Sequence, residues 1–144
     1  MEKAGELIER SGLRILQRSS IYETAAWGKT DQAPFLNQAL KVTTSLEATA
    51  LMDLVLGIEE QMGRKRLERY GSRIIDIDIL FFNDAIIRLP NLVVPHPEVQ
   101  NRRFALAPLA EIAPYLMHPV LHQNISDLLA ICPDKLEVKK INQS

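Results

Sequence analysis

The sequence predicts an α+β sandwich, with helices on one face of a mainly antiparallel sheet. Candidate elements follow in the order α-β-β-α-β with smaller elements behind them. A strong amphipathic helical run between residues 46 and 62 is preceded by two strand-like runs. No repeat, linker or low-complexity segment interrupts the chain, so all 144 residues are expected to form a single domain.

Residues 2–12 read as a helix, because Ala4, Leu7 and Ile8 share a face and Ser11-Gly12 supplies a stop. Residues 13–23 read as a strand, with Leu13, Ile15 and Ile21 roughly alternating with polar residues. The segment 24–33, TAAWGKTDQA, has the composition and length of a functional loop. Residues 35–44 read as a second strand, although Leu36, Ala39 and Val42 against Asn37, Lys41 and Thr43 alternate only in part.

Ser45 is an N-cap candidate for the next helix. There Leu46, Ala50, Leu51, Leu54, Ile58 and Met62 recur at helical spacing, and Gly63 is the expected C-cap. A basic hinge, RKRLERYGSR, leads into a strand over residues 74–82 that ends at the turn Asn83-Asp84. A short strand at 86–89 and a proline-bounded extended stretch at 92–97 follow. Helical segments are expected from residue 100 to 107, at 111–115 and at 125–131, before a polar tail.

Composition excludes several function classes. Apolar residues make up 47% and charged residues 24%, which is ordinary for a globular chain. A formal net charge of -1 provides no whole-molecule field toward nucleic acid or an anionic membrane, so an anion site must be a local basic cluster. The single cysteine, Cys132, excludes an intrachain disulfide and a cysteine-based zinc cage. No apolar run approaches the ~20 residues that span a bilayer. MEKAGELIER has no apolar signal region, so a cytoplasmic location with no membrane partner is expected.

Two aspartates begin the chemistry. Positions i and i+2 of a strand face the same way, so Asp76 and Asp78 project together from RIIDIDILFF while the intervening isoleucines face the other side. Paired carboxylates repel and are costly to desolvate. A divalent cation removes that penalty, and oxygen ligands from carboxylates, waters and phosphates suit magnesium. The spacing alone leaves a metal site and a solvated sheet face both open.

Arg64, Lys65, Arg66, Arg69 and Arg73 precede the aspartates within ten residues. Guanidinium groups bind phosphate oxygens bidentately, and metal plus arginines suits phosphoryl transfer. A solvated charge run at a helix C-terminus is the other reading. Trp27 could stack on a planar ligand or pack on the core, and Asn37 could read a heterocycle edge or face solvent. His96, rigidly held in Pro95-His96-Pro97, could touch phosphate or pack structurally, while His118 and His122 have no assigned role.

These residues together carry a resemblance. GSRIIDIDILFF, from Gly71 to Phe82, resembles the signature of the hydroxymethyldihydropterin pyrophosphokinases, a Gly-Pro-Arg followed by two unspecified residues and D-x-D. SSIYETAAWG, Phe35-Leu36-Asn37, IEEQMGR from Ile58, VPHP from Val94 and NRRF ending at Phe104 are similar to that family in the same order, over about residues 7–121.

The resemblance implies a ferredoxin-like sandwich and transfer of pyrophosphate from ATP to 6-hydroxymethyl-7,8-dihydropterin in folate biosynthesis. It implies two magnesium ions held by Asp76 and Asp78, with Arg64, Arg66 and Arg73 in the catalytic segment and Arg64 and Arg73 on the ATP phosphates. Glu59, His96 and Arg102 match ATP-side positions. Thr24, Phe35, Asn37, Tyr70 and Phe104 match the pterin site, where Phe104 and Phe35 would flank the ring. The partners implied are ATP and the pterin, with no nucleic acid, in a monomer.

The chain departs from that pattern at Ser72, where proline is usual, at Tyr70, where Trp is common, and at Pro97, often aromatic. The family also begins with a strand and a Gly-Ser-Asn-type loop, whereas this chain opens in the helix after them, so the first strand is expected to be missing here. The alternative reading is therefore a non-catalytic truncated homologue that binds nucleotide or pterin weakly, or dimerises through the exposed sheet edge.

Overall fold

The computed structural model describes residues 2–24, 35–67 and 76–141. Its helices and antiparallel strand pairs make an α+β fold, as the element order predicts. Helix α1 (Glu2–Arg10) buries Ala4 and Ile8, one helical turn apart, and ends at Gly12, whose φ of 95° is the left-handed conformation that glycine tolerates best.

The chain then forms one interrupted hairpin. Strands β1 (Arg14–Arg18) and β4 (Leu40–Thr43) pair antiparallel, and β2 (Tyr22–Thr24) pairs with β3 (Phe35–Asn37). Register slips once between Ile15 and Gln17. It slips again past Arg18, since Arg18 faces Leu40 while Tyr22 faces Asn37. The two continuous strands expected over 13–23 and 35–44 are therefore each broken.

Ser19 bridges the break. Its backbone N–H donates to Ala39 O at 2.9 Å, while its Oγ accepts the Ala39 N–H at 2.8 Å and donates to Ser20 O at 2.7 Å. Gln38 Nε2 donates to Ser19 O at 2.8 Å. The interruption explains the imperfect alternation of residues 35–44, because each half-strand follows its own register.

Helix α2 (Ala48–Leu67) begins three residues after Ser45, and Leu51 N–H bonds Glu47 O at 2.9 Å. It passes through Gly63 instead of ending there. Leu51, Val55, Ile58 and Met62 form its buried stripe against Ala4, Ile8 and Leu13. Strands β5 (Ile87–Leu89) and β6 (Leu92–Val94) make a small hairpin, and Ala48, Leu92 and Val94 form a third cluster beside α2.

Helix α3 (Arg103–Ile112) and helix α4 (Ile125–Ala130) pack with Val99 and Cys132 in another cluster. Asn124 caps α4, its side-chain oxygen accepting the Asp127 N–H at 2.8 Å. Strand β7 (Val138–Lys140) pairs antiparallel with β2, where a polar tail was expected. It completes the order β3-β2-β7.

Helices cover both faces, not one. Ala39 packs into the α3/α4 cluster, whereas Leu40 and Val42 pack against α1 and α2. Residues 77 and 79 likewise belong to the α1/α2 side, and Leu80 and Phe81 to the α3/α4 side. Segments apolar on both faces cannot leave one of them to water. Replacing Ser19 by Ala should strand the Ala39 N–H and lower stability by about 1–3 kcal/mol in chemical denaturation. A variant as stable as the parent would show that the bridge contributes nothing.

Candidate substrate and metal site

Asp76 and Asp78 are exposed, while Ile77 and Ile79 between and after them pack into the α1/α2 cluster. The alternation places both carboxylates on the face opposite the isoleucines, as their spacing predicts. The expected strand is not formed as such: residues 76–82 have no ladder among the described residues. Three bonds hold the segment instead. Ile77 N–H donates to Glu59 Oε2 of α2, His96 N–H donates to Leu80 O at 2.8 Å, and Ala85 N–H donates to Phe82 O at 3.0 Å.

The second of these bonds brings Pro95-His96-Pro97 beside the aspartate segment. His96 Nδ1 accepts the Glu98 N–H at 3.1 Å, which leaves the neutral ring's proton on Nε2. Burial lowers the imidazole's pKa below its ordinary value; Asp78 opposes that shift, Arg102 adds to it and Glu98 opposes it. Asp78 and Arg102 are therefore both near enough to His96 to act on its ring electrostatically.

Arg102 leads into α3, with its guanidinium 5.8 Å from the centroid of the Phe104 ring, in cation–π range. The start of α3 is anchored by Asp134. Arg103 N–H donates to Asp134 Oδ2 at 3.2 Å, and Arg103 Nε donates to Asp134 O at 2.9 Å. The nucleotide-side candidate Arg102 and the pterin-side candidate Phe104 are thus neighbours on a fixed helix start.

The other pterin candidates lie on β2 and β3. Thr24 pairs with Phe35 and Tyr22 with Asn37, so all four residues share the sheet face that Tyr22 turns toward α3. Helix α3 touches both strands. Phe35 is 59% exposed, while Asn37 is half-buried. Thr24 is buried, and its Oγ1 has no hydrogen-bond partner among the described residues.

Arg64 and Arg66 fall on the last turns of α2. Tyr70, Arg73 and Trp27 lie outside the described residues. His118 is structural in its contacts: it is buried, its Nδ1 accepts the N–H groups of Val120 and Leu121 at 3.1 Å each, and Phe81 meets its ring edge-on. Among the described residues no group of three or more His, Cys, Asp or Glu side chains could hold a metal by itself. Two carboxylates leave most of a cation's coordination to water and substrate oxygens, which is the habit of magnesium.

Sequence reasoning missed two tertiary contacts. Glu59 was placed on the ATP side, and its backbone anchor to the aspartate segment was not foreseen. Glu111 was overlooked, although it is the sole charged residue in the apolar stretch from Phe104 to Pro114. It accepts hydrogen bonds from Tyr22 and Ser20. A lone carboxylate in such a helix is the signal that could have found it.

The family model described as 7,8-dihydro-6-hydroxymethylpterin-pyrophosphokinase matches residues 1–114. The chain is 46% identical over 106 residues to the 2-amino-4-hydroxy-6-hydroxymethyldihydropteridine pyrophosphokinase of Methylorubrum extorquens, covering 74% of this chain and 67% of that protein. The protein of the same name from Aquifex aeolicus is 41% identical over 125 residues, covering 87% and 78%. That from Bacillus subtilis is 46% identical over 106 residues, covering 74% and 64%. The match thus spans about two thirds to three quarters of these relatives' lengths.

Removing the Glu59 acceptor should free the Ile77 N–H. Glu59→Ala is expected to lose about 1–3 kcal/mol of stability, and Glu59→Gln, which keeps a side-chain carbonyl, to recover most of it. Urea denaturation of the three proteins checks this, and equal midpoints would exclude Glu59 as an anchor.

Proposed function

This chain belongs to the 7,8-dihydro-6-hydroxymethylpterin-pyrophosphokinase family, and we propose that it transfers pyrophosphate from ATP to 6-hydroxymethyl-7,8-dihydropterin in folate biosynthesis. The products are AMP and the pterin diphosphate. The observation that supports this reading best is that Asp78 and Arg102 both act on the His96 imidazole, with Phe104 joined to Arg102 at the start of α3. A phosphate-handling group and a ring-stacking group meet at one helix end.

The pterin hydroxyl attacks the β-phosphorus of ATP, and the bond from that phosphorus to the oxygen bridging the α-phosphate breaks. AMP leaves with that oxygen, and the hydroxyl proton passes to solvent. No side-chain nucleophile is needed, so the protein's work is alignment and charge neutralisation. Asp76 and Asp78 would hold two magnesium ions, which when bound neutralise phosphate charge. The exposed, same-sided carboxylates fit that role.

His96 donates from Nε2 to a phosphate oxygen, and Arg102 adds a fixed positive charge beside it. Arg64, Arg66 and Arg73 serve the phosphates from the basic segment, and Glu59 supports the metal segment from α2. On the pterin side, Asn37 bonds the heterocycle edge and the ring lies between Phe35 and Phe104. Tyr70 adds to that wall. The buried Thr24 Oγ1, without a partner among the described residues, supports a ligand bond at that position.

We also read the fold as ferredoxin-like, with residues 76–82 in the place of an inner strand. Apolar contacts on both sides of that segment support this. One domain, a monomer acting on ATP and the pterin in the cytoplasm, completes the proposal. Among the described residues no helix is long and apolar enough to cross a membrane.

AMP should form from ATP only when the hydroxymethyldihydropterin and magnesium are both present, as read by chromatography; a folded sample that forms none would sink the enzymatic reading. Asp78→Ala should lower kcat by on the order of 10²-fold or more while leaving the circular dichroism spectrum unchanged. An unaltered rate would remove Asp78 from the metal site.

A further inference from the structure

We propose that Glu111 is a positioning residue for the pterin side, holding the strand pair that bears Asn37 at a set distance from Phe104. The inference rests on the pterin reading above. Both oxygens of the Glu111 carboxylate are engaged across the gap between α3 and β2. Oε1 accepts the Tyr22 hydroxyl at 2.6 Å, and Oε2 accepts the Ser20 N–H at 2.8 Å and the Ser20 hydroxyl at 3.2 Å. From β7, Lys140 Nζ lies 3.5 Å from Oε1 and 6.0 Å from the centre of the Tyr22 ring.

The positions of these groups give the clamp a function beyond holding the fold. Glu111 and Phe104 are seven residues apart in α3, so they project from the same side of the helix, roughly 10 Å apart along its axis. Tyr22, which Glu111 grips, is the cross-strand partner of Asn37. The path from the ring-stacking residue to the residue reading the ring's edge therefore runs Phe104, α3, Glu111, Tyr22, Asn37. Every step is covalent, a helix, a short hydrogen bond or a ladder pair. A pterin needs the stack and the edge bond at once, so an error in this spacing weakens its binding while the nucleotide side keeps its geometry.

The protonation states suit a permanent clamp. Burial works to raise the Glu111 pKa, but the bonds from Tyr22 and Ser20 and the Lys140 charge outweigh it and hold the carboxyl below its ordinary value. Burial, then the Glu111 bond and charge, push the Tyr22 hydroxyl up to about 12. The carboxylate and the neutral phenol thus coexist across neutral pH. The clamp's contribution is present above the ordinary carboxylate range and is lost as pH falls through the depressed Glu111 value. At the alkaline end, it is lost as pH rises from the ordinary tyrosine value toward about 12.

Steady-state kinetics of Tyr22→Phe, Glu111→Gln and Asn37→Ala, varying each substrate in turn, test the proposal. Tyr22→Phe removes one oxygen and preserves the packed ring, so it stays informative if the Glu111 variant folds poorly. Expected for Tyr22→Phe and Glu111→Gln is a KM for the pterin raised about fivefold or more, with KM for ATP changed less than about twofold. An unchanged pterin KM, or equal changes in both KM values, would overturn it and leave Glu111 as a stabilising contact alone. If Asn37→Ala also leaves the pterin KM unchanged, the pterin site itself has been misplaced, a failure separable from the first.

Discussion

Residues 76–82 must satisfy helices on two sides at once, and the rest of the molecule is arranged around that demand. Ile77 and Ile79 enter the cluster built on α1 and α2, while Leu80 and Phe81 enter the one built on α3 and α4. Each of these partly buried side chains contributes a fraction of what full burial is worth, about 1.5–3 kcal/mol, and together the four anchor the segment on both sides. Asp76 and Asp78 remain at its exposed end. The same apolar run that makes the core makes the two carboxylates a fixed pair.

The interrupted hairpin answers a related problem. Its first half, β1 with β4, serves the α1/α2 side, and its second half, β2 with β3, presents Thr24, Phe35 and Asn37 toward α3. A straight hairpin would keep one register throughout. Two slips and the Ser19 bridge let the second half be aimed separately, much as bulges re-aim side chains beside binding sites. Glu111 and Lys140 then secure the re-aimed half from the other side. Polar contacts help to set the orientation of these strands.

What could be read from the sequence follows from this division. The stripe from Leu51 to Met62, the helix at Ala4 and Ile8, the shared face of the aspartates and the Asn83-Asp84 turn all depend on local period or turn chemistry. The broken strands, the passage of α2 through Gly63 and the pairing of Val138–Lys140 depend on partners distant in the chain. Glycine permits a helix stop without compelling one, and a polar tripeptide becomes a strand when β2 offers an edge. On the site, types and spacings pointed to a metal and phosphates. The bonds that Ser19, Glu59 and Glu111 make were not legible, because polar contacts to partners distant in the chain have no periodicity.

The anchoring of Ile77 by Glu59 has a mechanical meaning. Glu59 stands five and seven residues before Arg64 and Arg66 on one continuous helix, and it grips the peptide between the two aspartates. A helix transmits rotation along its axis as a stiff rod. Any turn or slide of α2 would therefore carry the acidic pair and the start of the basic segment together. The backbone between the two aspartates and the last turns of the helix are thereby geared to a single shaft, and their spacing survives motions that would separate two independent loops.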